Sequence, residues 1–317
     1  MTESCVHCGL CTKNCSFLQK YGLDLASFSK REDLAYHCFL CGACSRACPK
    51  GIDGRAVAMA LRHSQVEKHS GKVPEKGYAA LLAEKENYLF RNYRRSAKGT
   101  ALFPGCNFPS FFPETTDLLV RLLGNAGIGT IFDCCGKPIG DLGLQDKESR
   151  TTERLTERLK ESGIERLVVL CPNCYAYLTA NTDIEVISIY TLLRELGIGA
   201  ILHEELNIFL PCPDRDSRVL LEQLKFFVPH AVPIYNVQCC GLGGCAEGKE
   251  PEIAAAFARK IGGEHTKVYT YCASCAGQLR RGGAEETTHI LTEILGTHEK
   301  PVLSPVQSLW NRAKRIF

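Results

Sequence analysis

The sequence predicts an α/β protein in which a helical, cysteine-rich amino-terminal module precedes two duplicated small lobes, each built on a parallel sheet. Three observations predict it. Ile131-Phe132-Asp133-Cys134-Cys135-Gly136 returns as Tyr235-Asn236-Val237-Gln238-Cys239-Cys240-Gly241. Each cysteine pair has the same partners in the same order: one cysteine before it (Cys106, then Cys212) and a Cys-x-x-Cys after it (Cys171 with Cys174, then Cys272 with Cys275). Corresponding cysteines lie 101 to 106 residues apart, so one unit is used twice. Finally, short β-branched and aromatic runs alternate with helical stretches, the rhythm of βαβ units.

At 317 residues the chain can hold two or three domains. Apolar content of 45% and charged content of 23% are ordinary for a globular protein. A net charge of +3 gives no reason to expect nucleic acid, whose binders carry a clear basic excess. Met1-Thr2-Glu3-Ser4 runs straight into Cys5 without a basic or apolar leader, and runs such as Leu167–Leu170 are far too short to cross a bilayer. A cytoplasmic location is therefore expected. In that reducing setting, 19 cysteines in clustered spacing read as metal ligands rather than disulfides.

The first module, residues 1–70, opens with Cys5-x-x-Cys8-x-x-Cys11-x-x-x-Cys15 and continues with Cys38-x-x-Cys41-x-x-Cys44-x-x-x-Cys48-Pro49. Two residues between ligands make a tight turn that aims sulfurs at neighbouring corners of a cluster, and Gly9 and Gly42 relieve crowding there. The pattern resembles the bacterial two-cluster ferredoxin, in which each run gives three ligands to one [4Fe–4S] cluster and its fourth cysteine to the other. The resemblance implies that Cys5, Cys8, Cys11 and Cys48 hold one cubane, and Cys38, Cys41, Cys44 and Cys15 the second. Ser16 departs from the pattern, standing where a proline is usual. Paired zinc knuckles are the bland alternative, and the repeated spacing argues against them. His7 reads as a turn residue, since the first cluster already has four cysteines.

Residues Gly54 to His69 read as a helix with its apolar stripe on this module. Residues 71–99 read as a helical linker, with a second helix from Tyr78 to Arg95 carrying Leu81, Leu82, Lys85, Leu89 and Tyr93 on one face. The first lobe, 100–205, has strand-like runs at 101–103, 129–132 and 166–170; the second, 206–300, has them at 207–210, 233–237 and 267–271. Helices are expected at Glu114–Ala126 and Arg215–Val228. Tyr190–Leu196 and His289–Leu295 each read as a helix closing its sheet. In parallel sheets ligands sit beyond the carboxyl ends of the strands. Every paired or spaced cysteine of both lobes lies just past such an end, so the five sulfurs of each lobe are expected to converge.

Five thiolates exceed what zinc or a cubane needs. Present twice behind a two-cluster module, the pattern Cys–Cys-Cys-Gly–Cys-x-x-Cys is similar to the D-type iron–sulfur protein of heterodisulfide reductase. It is similar also to the iron–sulfur subunits of glycolate oxidase, of lactate-utilisation enzymes and of anaerobic glycerol-3-phosphate dehydrogenase. The resemblance covers about residues 1–295. It implies one noncubane [4Fe–4S] cluster on Cys106, Cys134, Cys135, Cys171 and Cys174, another on Cys212, Cys239, Cys240, Cys272 and Cys275, and a disulfide cleaved between them. These ten cysteines are the expected catalytic set of an anaerobic, cytoplasmic oxidoreductase. Zinc in place of one noncubane cluster, at the second lobe rather than the first, stays open.

Two function classes follow. One is a reductase of a small disulfide or thiol couple, fed through two cubanes. The other is an electron-relay component of a flavin-dependent hydroxy-acid or glycerol-3-phosphate dehydrogenase complex. Either way the chain shows no flavin or nicotinamide fold, so a flavoprotein electron donor or acceptor is the expected partner. Cys245, in a glycine-rich stretch, reads as a small buried residue, with a reactive thiol beside the second site as the alternative; the loop is expected to hug a cluster. Lys137 is either a handle for an anionic substrate or a surface charge. The basic, aromatic tail 301–317 is expected to pack back on the last lobe, with peripheral membrane contact as the alternative.

Overall fold

The computed structural model describes residues 1–316; Phe317, the last residue of the basic aromatic tail, lies outside them. Helices and mostly parallel strands alternate after residue 99, an α/β arrangement. The first cysteine module is helical among the described residues, with Leu10–Lys13, Ser16–Lys20, Leu25–Phe28, Ala43–Ala47 and the long Gly54–Lys68. Asp53 starts that long helix by accepting the Arg55 N–H at 2.8 Å, a cap of about 1 kcal/mol. Glycine is required at its first position, because a Cβ there would meet the Cys44 sulfur at 2.3 Å.

The reading of 78–95 as a helix is corrected. A helix runs only over Ala79–Lys85, and Asn92–Arg95 forms a strand, β1. It pairs antiparallel with a later strand, and the Asn92 amide donates to the Arg315 carbonyl at 2.6 Å. Leu89, expected on the buried face, is 60% exposed. Tyr93 suits a strand, and long-range pairing overrides a helical spacing that was only local.

The remaining strands are β2 (Gly99–Phe103), β3 (Gly129–Phe132), β4 (Ile164–Val169), β5 (Glu185–Ser188), β6 (Leu206–Phe209), β7 (Ala231–Ile234), β8 (Val268–Thr270) and β9 (Thr287–His289). The first sheet has the order β1-β3-β2-β4-β5 and the second β7-β6-β8-β9. Apart from β1 every pairing is parallel. The four parallel strands thus follow one spatial order in both sheets. In this order the chain steps from β2 to one side and returns to the other, so a crevice opens between the carboxyl ends of β2 and β4, and likewise of β6 and β8. Pro233, which has no N–H to give, is tolerated because β7 is an edge strand. The helix expected at 215–228 is shorter, Val219–Leu224, following a single 3₁₀ turn at Cys212–Asp214.

The cores cross the boundaries between these parts. One cluster joins Phe17, Phe28, Tyr36 and Phe39 of the cysteine module to Phe209, Val237, Phe257 and Ile261 around the second sheet. Another joins Leu102, Val168 and Leu192 around the first sheet to Ile208, Tyr269 and Ile290 of the second. The second sheet therefore packs against both the module and the first sheet, while the module also reaches the first lobe through Tyr36 and Leu142. The expectation that the tail packs on the last lobe is corrected: its Pro305–Ala313 helix lies on Phe108–Phe111 of the first lobe, with Asn311 donating to the Ser110 carbonyl at 3.2 Å, because the chain end is also held by Asn92 of β1. No helix among the described residues is long and apolar enough to cross a membrane.

Candidate metal centre

Cys106 follows β2, Cys134 and Cys135 follow β3, and Cys171 follows β4 and caps the helix Pro172–Asn181, on whose first turn Cys174 lies. The second sheet repeats this with Cys212 after β6, Cys239 and Cys240 after β7, and Cys272 capping Ala273–Arg281, which carries Cys275. The topology thus sets one group of five thiols at each crevice. Within the first group the thiols of Cys106 and Cys134, Cys135 and Cys174, and Cys171 and Cys174 come within hydrogen-bond reach. In the second the close pairs are Cys212 with Cys239, Cys240 with Cys275, and Cys272 with Cys275.

The two groups face each other. Cys171 reaches Cys272 across the gap, and one cavity of about 910 Å³ is lined by Cys106, Cys135, Cys171 and Cys174 from one side and Cys212, Cys240, Cys272 and Cys275 from the other. On its far side the second group meets the cysteine module, where Cys239 comes within reach of Cys41. In the module, Cys5, Cys8, Cys11 and Cys48 line one small pocket, and Cys15 contacts Cys44, whose neighbours are Cys38 and Cys41. His7 is turned to Asp24, Nδ1 to Oδ2 at 2.6 Å, on a left-handed backbone (φ 52°). With the Cys5 sulfur these two offer a third, mixed donor set on the exposed rim of that pocket.

The donor set fits iron–sulfur clusters. The thiols are mostly buried and touch one another. Burial pushes the Cys38 thiol up to about 12, with the neighbouring Cys44 sulfur adding to it. So many sulfurs packed this closely cannot ionise together without a cation between them. Fixed positive groups lie alongside. Lys85 is buried; desolvation works against its charge, but the Cys106 and Cys134 sulfurs and Glu84, at 2.6 Å, hold it above the ordinary lysine range. Arg215 grips the second site by donating to the carbonyls of Leu210 (2.9 Å), Val237 (2.7 Å) and Gln238 (3.0 Å).

Cys245 also lines the cavity, half-buried and with φ 55°. Burial lifts its thiol to about 11, and Asp141 adds to the effect. The loop around it is held to the module by close backbone approach. A Cβ on Gly243 would meet the Phe39 carbonyl at 2.4 Å, and one on Gly244 the Cys38 carbonyl at 2.5 Å. Lys137 lines the cavity too, although its ammonium is bound to Asp141 at 2.7 Å.

Three residues near the centres carried no signal in the sequence. Arg62 is completely buried and donates to the carbonyls of Ala35 (3.0 Å), Cys38 (2.9 Å), Gly244 (2.9 Å) and Asp141. Glu250, also fully buried, takes Lys20 Nζ at 2.6 Å, the Tyr21 hydroxyl at 2.8 Å and His37 Nδ1 at 2.7 Å. Gln238 sends its side chain into the module. An arginine in a helix or a glutamine before a cysteine pair looks like any surface residue until the chain is folded.

Known proteins share this pattern. A family model described as a cysteine-rich domain, CCG, matches residues 100–179 and again 213–280. Cys212 lies immediately before the second match. A 4Fe-4S dicluster domain model matches residues 1–52. An uncharacterised iron–sulfur protein of Methanococcus maripaludis is 25% identical over 264 residues, covering 71% of this chain and 51% of that protein. One of the subunits of the fumarate reductase (CoM/CoB) of Methanothermobacter marburgensis is 24% identical over 315 residues, covering 81% of this chain and 62% of that one. The chain thus spans about half to three-fifths of the length of these relatives. Among solved structures, glutamate racemase isoform RacE1 of Bacillus anthracis aligns with 65% of this chain and 80% of its own at 14% identity and a TM-score of 0.37, too low to inform the fold. The matched domains carry the motifs of an iron–sulfur protein with 4Fe-4S and cysteine-rich parts.

Proposed function

We propose that the chain is an oxidoreductase of the heterodisulfide reductase type, which reduces a small disulfide in the cavity between its two five-cysteine groups. The observation that carries this reading is the shared cavity, with Cys171 touching Cys272 across it. In this reading Cys5, Cys8, Cys11 and Cys48 hold one cubane and Cys15, Cys38, Cys41 and Cys44 the other. Cys106, Cys134, Cys135, Cys171 and Cys174 hold one noncubane cluster, and Cys212, Cys239, Cys240, Cys272 and Cys275 the second. When bound, the clusters supply electrons one at a time and open metal corners for sulfur.

The chain's own groups do the rest. The cavity admits the disulfide between the two groups, so that each sulfur faces one of them. Lys137, Lys85 and Arg312 line the cavity together with their carboxylate partners Asp141 and Glu84. Overall one disulfide, two electrons and two protons give two thiols. Cys239 lies within reach of Cys41, which makes the thiols of the second group the first reached by electrons from the module.

A second reading draws on the relative named as part of a fumarate reductase (CoM/CoB). Here the chain is one component of a larger complex and passes electrons between this cavity and a flavoprotein acting on a hydroxy acid, glycerol 3-phosphate or a similar metabolite. The test is anaerobic, cluster-loaded protein given a reduced viologen dye and a panel of small disulfides. Two thiols released per disulfide, with two dye equivalents oxidised, support the first reading. Dye oxidation only on addition of a flavoprotein, without thiol release, supports the second.

A further inference from the structure

Gln238 directly precedes the Cys239–Cys240 pair, yet its side chain leaves that site and enters the cysteine module. Its Oε1 accepts the Ser16 N–H at 2.8 Å, which fixes the orientation of the amide. Nε2 then points at the sulfurs of Cys41 (3.4 Å) and Cys15 (3.6 Å). The equivalent residue in the first half, Asp133, turns elsewhere: it takes the Tyr93 hydroxyl at 2.9 Å and the Cys134 N–H at 2.8 Å. The amide is therefore no general feature of the repeated unit.

We infer that Gln238 raises the reduction potential of the cubane held by Cys15, Cys38, Cys41 and Cys44 above that of its neighbour, making this inner cubane the point from which electrons leave the module. The inference rests on the cubane assignment made above. Reduction adds negative charge to a cluster; N–H groups aimed at its ligand sulfurs stabilise that charge, and burial opposes it. The four thiols of the inner set are buried, whereas Cys8 of the outer set is exposed and Cys5 and Cys48 are half-buried. Burial alone would leave the inner cubane harder to reduce, and electrons would stall at the surface.

The surroundings reverse that order. Besides Gln238, the guanidiniums of Arg46 and Arg55 each donate to the Cys41 carbonyl at 3.2 Å, and that of Arg62 donates to the Cys38 carbonyl at 2.9 Å. The outer pocket is lined by the carboxylate of Asp24, which faces His7, and by Lys50. The donors around the inner set push in one direction, from the exposed cubane to the buried one. From there Cys239 is in reach of Cys41. The step is one electron lost by the outer cluster and one gained by the inner, with no bond or proton exchanged.

The test is an EPR-monitored redox titration of the anaerobically purified full-length chain, comparing wild type with Gln238→Leu and Gln238→Glu. One cubane midpoint should fall in both variants, further in the glutamate, while the other stays fixed and reports an intact module. In Gln238→Glu the electron distribution between the cubanes should move at least tenfold toward the outer one, about 59 mV for a one-electron couple. Unchanged midpoints at full iron content overturn the inference. So does loss of the inner cubane from both variants, which would make Gln238 a structural contact. Wild-type protein lacking two cubane signals would overturn the ligand assignment itself, a failure distinct from that of the tuning.

Discussion

Replacing Arg62 by methionine removes one guanidinium from the junction of all three parts of the molecule. It reaches Ala35 and Cys38 in the cysteine module, Asp141 beside the first site and Gly244 beside the second, and it lies over the Tyr36 ring at 5.0 Å. Among the described residues no carboxylate pairs with it; carbonyl dipoles and the Tyr36 ring hold the charge. Methionine has nearly the right length and no donors, so it leaves four buried carbonyls without this partner. At about 1 kcal/mol or more each this is about 4 kcal/mol or more, part of which is recovered because a buried charge is no longer desolvated. A net loss of about 3 kcal/mol is expected, which at about 2–4 °C per kcal/mol for a chain of this size lowers the unfolding midpoint by about 6–12 °C. Arg62→Lys keeps the charge but reaches fewer carbonyls, and should fall between. The assay is far-UV circular dichroism of cluster-loaded protein under anaerobic heating at one scan rate. A shift of the methionine variant below about 2 °C would refute the idea that this side chain ties the junction together.

Glu250→Gln should loosen the module from the second sheet. Burial works against the carboxylate, but Lys20, His37 and Tyr21 hold it below the ordinary range, so its contribution is full above about pH 4.5 and fades as acid protonates it. The variant should be less stable at neutral pH by about 1–3 kcal/mol and show a flatter acid limb in pH-dependent unfolding; an unchanged limb would count against the pairing. Gly244→Ala puts a Cβ against the Cys38 carbonyl on a backbone with φ 61°, and should lower thermal stability by about 2 kcal/mol or more while leaving iron content near wild type. A neutral result would mean that the loop does not press against the module.

The chemistry-bearing half of this molecule was legible because its grammar is local. A strand followed by a cysteine needs only a short apolar run and the next residues, and the spacing of Cys171 with Cys174 places both on one helix start. The strands β5 and β9 were not separable, since Glu185–Ser188 and Thr287–His289 are too short to show a period. The region of Ala79 to Arg95 misled for the opposite reason: its spacing suits a helix, yet Asn92 is claimed by Phe132 across the sheet and by the tail carbonyl of Arg315. Arg62, Glu250 and Gln238 were invisible because their partners lie 24 to 230 residues away in the chain. Charge and amide groups declare their role only when a fold brings carbonyls and sulfurs to them.

The most direct test of the central claim is metal and sulfide analysis, with Mössbauer spectroscopy, of the protein purified without oxygen. Paired clusters across one cavity predict about 16 iron atoms per chain, no zinc, and two noncubane environments besides the cubanes. Iron for about two clusters together with stoichiometric zinc would contradict it.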